Sequence, residues 1–122
     1  MIAPIFSLLA QCDRVTKLLK SDDIVRAWSF GVAPDEPQLP YVTWQNIAGT
    51  AFNNLDDRPS GDQAVIQFDV YDTDDERLIE IAQAVRYAIE LECNVTSIRD
   101  VSKDPTTGIF HIGFDALWIL PN

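Results

Sequence analysis

The strongest constraint on the fold lies near the end of the chain. From Phe110 to Leu120, the residues Phe110, Ile112, Phe114, Ala116, Trp118 and Leu120 alternate with His111, Gly113 and Asp115. A period of two over that length fits a strand with one buried face and does not fit a helix. One strand cannot bury such a face alone; it needs partner strands and a covering layer. Gln63–Tyr71 alternates in the same way, with Ile66, Phe68 and Val70 on one side and Gln67 and Asp69 on the other. The covering layer is written between the two strands. Thr73 followed by Glu76 has the form of a capping box. Leu78, Ile81, Ala82, Val85 and Ile89 then recur at helical spacing, which predicts a helix from Asp74 to about Glu92.

The rest of the chain fills in the order. Pro4 suits a first helical turn, where its missing N–H costs nothing. Ile5, Leu8, Leu9, Cys12, Val15 and Leu19 predict one amphipathic helix over residues 4–20, ended by Ser21-Asp22-Asp23. Ile24–Phe30 reads as a strand. Gly31–Pro40 holds three prolines and a glycine, which exclude regular structure. Tyr41–Ala48 predicts a strand, Gly49–Gly61 a long loop, Val95–Arg99 a strand, Asp100–Gly108 a turn and Gly108–Leu120 the final strand. The expected order is α-β-β-β-α-β-β. This is an α+β fold with an antiparallel sheet packed against two helices. With 122 residues, the whole span 1–122 reads as a single domain.

Charge excludes several classes of function. Nineteen acids against nine Lys and Arg give a formal charge of −10. Such a surface repels nucleic acid, whose phosphates need Lys and Arg, and disfavours an anionic membrane surface. No stretch approaches the roughly 20 apolar residues that span a bilayer. Cys12 and Cys93 lie far apart on segments expected to pack, and read as free thiols. With no basic, apolar leader at Met1-Ile2-Ala3-Pro4, a reducing cytoplasm is the expected place of synthesis.

The motifs of chemistry are weak. Asp72-x-Asp74-x-Glu76 has odd-position calcium spacing, but Arg77 stands where the loop needs Gly and Gln83 where it needs Glu. Acids at a helix start also complement its dipole. His111 is the one histidine, and its strand position puts it opposite the core. No nucleophile elbow or glycine-rich phosphate loop is present. No cofactor or metal site is expected.

The second face of the sheet carries Tyr41, Ile47, Val65, Tyr71, Leu117 and Ile119. An apolar face of this kind marks a partner surface, so these six residues are the candidate oligomer face.

The order of short segments resembles a known family. The loop from Pro34 runs into Pro40-Tyr41-Val42-Thr43-Trp44. A polar loop, Asn53-Asn54-Leu55-Asp56-Asp57-Arg58-Pro59, follows. A strand–helix step spans Val65 to Leu91, and Asp104-Pro105-Thr106-Thr107-Gly108 leads into a strand with Trp118 near its end. This train resembles the small tail-completion, tail-terminator-like proteins of tailed bacteriophages and prophages, over nearly the whole chain. The resemblance implies a non-enzymatic protein of the virion tail, put together in the host bacterial cytoplasm. It implies a hexameric ring of identical copies on the head-proximal end of the tail tube. Its partners would be the tail-tube protein and the head-connector protein, with DNA passing through the lumen unbound. From Asp56 to Glu76 there are eight acids and one base, Arg58. Asp56, Asp57, Arg58 and Asp62 are therefore the candidate lumen-facing or tube-facing loop. The competing readings are another neck or head–tail joining protein, an acidic DNA-mimic inhibitor, and a small ligand-binding α+β domain.

Overall fold

The computed structural model describes residues 3–30, 32–35, 37–54 and 57–121, and of residues 48–54, 57–62, 120 and 121 the backbone alone. Three helices, α1 (Ile5–Ala10), α2 (Asp13–Leu19) and α3 (Asp75–Ile89), lie on one face of a sheet. The strands are β1 (Lys20–Ser21), β2 (Ile24–Val25), β3 (Ala27–Ser29), β4 (Tyr41–Asn54), β5 (Asp57–Asp72), β6 (Cys93–Ile98), β7 (Ser102–Lys103) and β8 (Phe110–Pro121). The main sheet runs β3-β4-β5-β8-β6, with β7 also on β8. All its pairings are antiparallel except β3 with β4. The α+β class is as the sequence predicts, with one more helix and several short strands added.

The alternation decides the core. Phe68, Val70, Phe114, Ala116 and Trp118 are buried under Leu78, Ile81, Val85 and Ile89 of α3. Phe68 and Phe114 stack at 5.1 Å across the β5–β8 ladder. Asp74 caps α3, its carboxylate accepting from the N–H groups of Glu76 and Arg77. The cap expected at Thr73 thus falls one residue later, and the helix starts at Asp75.

The first helix is broken. At about 100° per residue, Leu9 and Val15 in one straight helix would point some 120° apart. Cys12 takes an extended conformation between α1 and α2. The break lets Ile5, Leu9, Val15 and Leu19 all be buried. Asp13 then sits in the first turn of α2, favourable to its dipole.

The expected strand Ile24–Phe30 is also divided. β1 and β2 form a hairpin across Asp22 (φ 51°) and Asp23 (φ 63°). Two successive positive φ values suit a tight two-residue turn. Arg26 then leaves the ladder with its side chain buried. Its Nε donates to the Pro40 carbonyl at 2.7 Å, and its other nitrogens reach the Ser21 hydroxyl and the Leu18 carbonyl. This guanidinium ties the end of the proline loop to the end of α2. β3 runs parallel to β4, which requires a crossover of about a dozen residues. The proline-bearing stretch after β3 supplies it.

Of the expected loop Gly49–Gly61, the described residues 49–54 and 57–61 are paired strand instead. The β4–β5 ladder continues from Tyr41↔Tyr71 to Asn54↔Asp57, with irregularities after Asn46 and Phe52. The mostly small and polar residues there, with Phe52 and Leu55 isolated among them, carry no alternation to read. Backbone pairing decides the conformation, since β5 is held by β8 as far as Gly61↔Pro121.

Candidate assembly surface

The sheet face away from the helices is the natural place for a partner site, because α1, α2 and α3 all pack on the other face. The register brings its residues into rows. Tyr41, Tyr71 and His111 lie side by side on β4, β5 and β8. Tyr41 stacks on Tyr71 at 4.9 Å, Tyr71 on His111 at 4.8 Å, and Trp28 tilts against Tyr41 at 6.1 Å. Burial holds the Tyr41 hydroxyl above its ordinary pKa. For Tyr71, burial, the Asp69 carboxylate and Tyr41 all act in that direction.

The next rows are polar. His111 Nε2 lies 2.7 Å from Asp69 Oδ1, and the Gln67 amide donates to Asp69 Oδ2 at 3.0 Å. Asp69 is buried even though it stands on the uncovered face. Arg99 donates to Asp115 at 3.1 Å. Its guanidinium lies over Gly113, where a Cβ would come within 2.6 Å of Nη2. The missing side chain at Gly113 is what lets this arginine lie across the sheet beside Asp69.

The far end is apolar. Val65 and Leu117 are cross-strand partners, half-buried. Ile47, at the β4 irregularity, is 46% exposed and Ile119 is 57% exposed. All six residues of the candidate oligomer face thus stand on or beside the uncovered face, but in two groups. Tyr41 and Tyr71 form an aromatic end, while Ile47, Val65, Leu117 and Ile119 form an aliphatic end. Gln45, Gln67, Asp69, Arg99, Asp115 and His111 make a polar belt between them. The sequence reading missed this belt. Strand parity alone places Asp69 and His111 on one face, but pairing them needs the β5–β8 register.

Beside the aromatic end the proline loop leans over the sheet. Phe30, Ala33, Pro34, Asp35 and Pro37 face Tyr41, Gln45, Gln67, Asp69 and His111 across a groove of about 640 Å³. Among the described residues, the hydrogen-bond partner of His111 is Asp69, and no hydroxyl or thiol is seated on the imidazole.

Of the candidate loop residues, Asp56 lies outside the described residues, as do the side chains of Asp57, Arg58 and Asp62. The backbone of Asp57, Arg58 and Asp62 belongs to β5 near the hairpin end. The acids at the start of α3 have local tasks. Asp72 is held by Arg77 and by the N–H groups of Thr73 and Asp74, and Asp74 caps the helix. Cys12 and Cys93 are free and half-buried. Among the described residues, no helix is long and apolar enough to cross a membrane.

A family model described as Tail completion protein gp17 matches residues 3–119. Among solved structures, the chain is similar to one in the virion of a native gene transfer agent particle. The TM-score is 0.67 at 11% sequence identity, covering 97% of this chain and 92% of that one. At that identity the likeness shows a shared fold. No curated protein matches.

Proposed function

The chain belongs to the tail completion protein gp17 family of bacteriophage structural proteins, and from that premise we propose that it closes the tail tube as a hexameric ring. In this reading the ring ends tube polymerisation on one side. On the other it presents the head connector with a surface to bind. The protein acts by shape and contact, with no catalysis. The observation that carries the reading is the sheet face opposite the helices, where half-buried Tyr41 and Tyr71 at one end and Ile47, Val65, Leu117 and Ile119 at the other flank a polar belt. A domain of this size buries about two-thirds of its unfolded surface and gains from neighbours. Repeated heterologous contacts close into a ring at one rotation angle and otherwise give an open filament. The similar chain in the gene transfer agent virion supports a place in a particle of this kind.

Native mass spectrometry with negative-stain imaging across a concentration series, with and without tail-tube protein, tests the proposal. Hexamers, or rings that appear on adding tube protein, support it. A strict monomer that ignores tube protein overturns the assembly role.

The acidic run from Asp56 gives the reading a second component. DNA must slide through the lumen, and carboxylates repel phosphate. We assign Asp56, Asp57, Arg58 and Asp62 to the lumen or to the tube contact. Asp56→Lys/Asp57→Lys virions should then assemble or deliver DNA poorly. Normal assembly and delivery would make the run a solvated hairpin end and nothing more.

A further inference from the structure

The main sheet has two uncovered edges, and they match. β3 covers β4 only at Val42–Trp44. Past Trp44, the outer side of β4 has no partner strand among the described residues. At the opposite border, β6 pairs with β8 on one side and has no other partner strand among the described residues. Uncovered edges offer rows of free N–H and C=O groups, and proteins usually guard them with charge or proline. Neither edge is guarded in this way. Tyr41–Asn54 and Cys93–Ile98 contain no Asp, Glu, Lys, Arg, His or Pro, in a chain that carries 28 Asp, Glu, Lys and Arg residues (19 acids and 9 bases).

The ladders show that the two open stretches stand at the same height. One row crosses the sheet through Trp44, Phe68, Phe114 and Ile98. Another crosses through Gly49, Ala64, Trp118 and Cys93. Between these rows each edge carries one unpaired extra residue, Ile47 on β4 and Thr96 on β6. Among the described residues, the proline loop makes no backbone hydrogen bond to β4 past Trp44, and it leans over the face opposite the helices. Three antiparallel steps separate β4 from β6, so the two strands run in opposite directions. Rotation about an axis along the strands preserves direction. It would therefore bring β6 of one copy against β4 of the next in antiparallel register, with no slide along the axis.

We propose that a second copy of this chain covers each edge, β6 of one subunit adding to β4 of its neighbour from Gln45 to Gly49, so that the sheet continues around the ring. The proposal rests on the ring reading above and names the contact that closes it. The pairing is heterologous, which is what ring closure requires.

The row Gln45–Gln67–Asp115–Ser97 supplies the test. Within one subunit, Gln45 and Ser97 are three strand spacings apart, about 14 Å, too far for a disulfide. Across the proposed contact they face each other at the roughly 5 Å Cα separation of an antiparallel pair, which a disulfide can span. Gln45→Cys and Ser97→Cys are combined in a Cys12→Ser/Cys93→Ser background. The protein is oxidised under ring-forming conditions and run on a non-reducing gel. The same protein under reductant goes to native mass spectrometry as the control for folding and ring formation. A covalent ladder up to the ring, absent from either single-cysteine variant, is expected. Rings without the ladder would overturn the edge contact and leave the ring standing. A folded monomer with no ladder, with and without tube protein, would overturn both.

Discussion

Asp72 holds Arg77 by both carboxylate oxygens: Oδ2 accepts from Nε and Oδ1 from Nη2, each at 2.6 Å. The carboxylate is fully buried at the step from β5 to α3, while the arginine side chain is 42% exposed. Burial alone would raise this carboxyl's pKa. The Arg77 guanidinium and the N–H groups of Asp74 and Thr73 outweigh it and hold the pKa below its usual value. Removing one partner of a fully buried pair costs about 3–5 kcal/mol. With Arg77 half in water, Asp72→Asn should cost about 2 kcal/mol, measured by urea unfolding at pH 7. A carboxyl with a depressed folded pKa gives stability that is present above its unfolded pKa and is lost as pH falls through the folded one. The gap between wild type and variant should therefore shrink below about pH 4. An equal gap at pH 7 and in strong acid would mean that the ion pair is not its source.

Gly113 should tolerate no side chain without disturbing the polar belt. A Cβ there meets Arg99 at 2.6 and 2.8 Å and Asp69 Oδ1 at 2.9 Å. The arginine is exposed enough to swing away, but Asp69 is buried against His111. Gly113→Ala is expected to destabilise by about 1–2 kcal/mol. It should also break the Arg99–Asp115 contact, seen as a shifted Arg99 Nε–H resonance. An unchanged melt with an unchanged Arg99 signal would remove the steric argument.

The tyrosine stack makes the fold sensitive to alkali. A phenol whose folded pKa is raised gives stability that is complete below the unfolded pKa and is lost as pH rises through the folded one. For Tyr41 and Tyr71 that window opens near pH 10. Ultraviolet titration of phenolate should show ionisation delayed in the native state and normal in urea. Tyr71→Phe should shorten the delay, because it removes one of the two buried phenols. A native curve that overlays the unfolded one would contradict the burial of these rings.

What could be read in advance follows the range of the forces involved. α3 and β8 were legible because a buried stripe of period 3.6 or 2 is a local signature, and Leu78–Ile89 and Phe110–Trp118 carry it cleanly. The break at Cys12 was hidden because Leu8 and Cys12 bridge the two apolar stripes and imitate one continuous helix. The β4–β5 hairpin was hidden because Gly49–Asn54 has little side-chain preference and is held by backbone pairing to β5. Arg26 could not be found at all. Its burial depends on the carbonyls of Pro40 and Leu18, which only the tertiary fold brings near. The polar belt has the same character: Asp69 and His111 stand 42 residues apart and meet through register. The sequence could put the uncovered face on the correct strands, but it could not show that its middle is ionic.

Cys93 offers a readout of the folded β6 edge. Burial pushes its thiol up to about 11, and the charges of Glu90 and Glu92 add to the effect. Its sulfur also leans on the Ile89 carbonyl at 3.3 Å. The thiolate is the reacting species, so at pH 8 only about one molecule in a thousand is reactive in the native state. Iodoacetamide should alkylate Cys93 on the order of a hundredfold more slowly in the native protein than in urea, followed by peptide mass spectrometry. Glu90→Gln/Glu92→Gln should raise the native rate several-fold without changing the rate in urea, since it removes only the coulombic part. If native and unfolded rates coincide, Cys93 is not seated against α3, and the anchoring of β6 beside Trp118 fails with it.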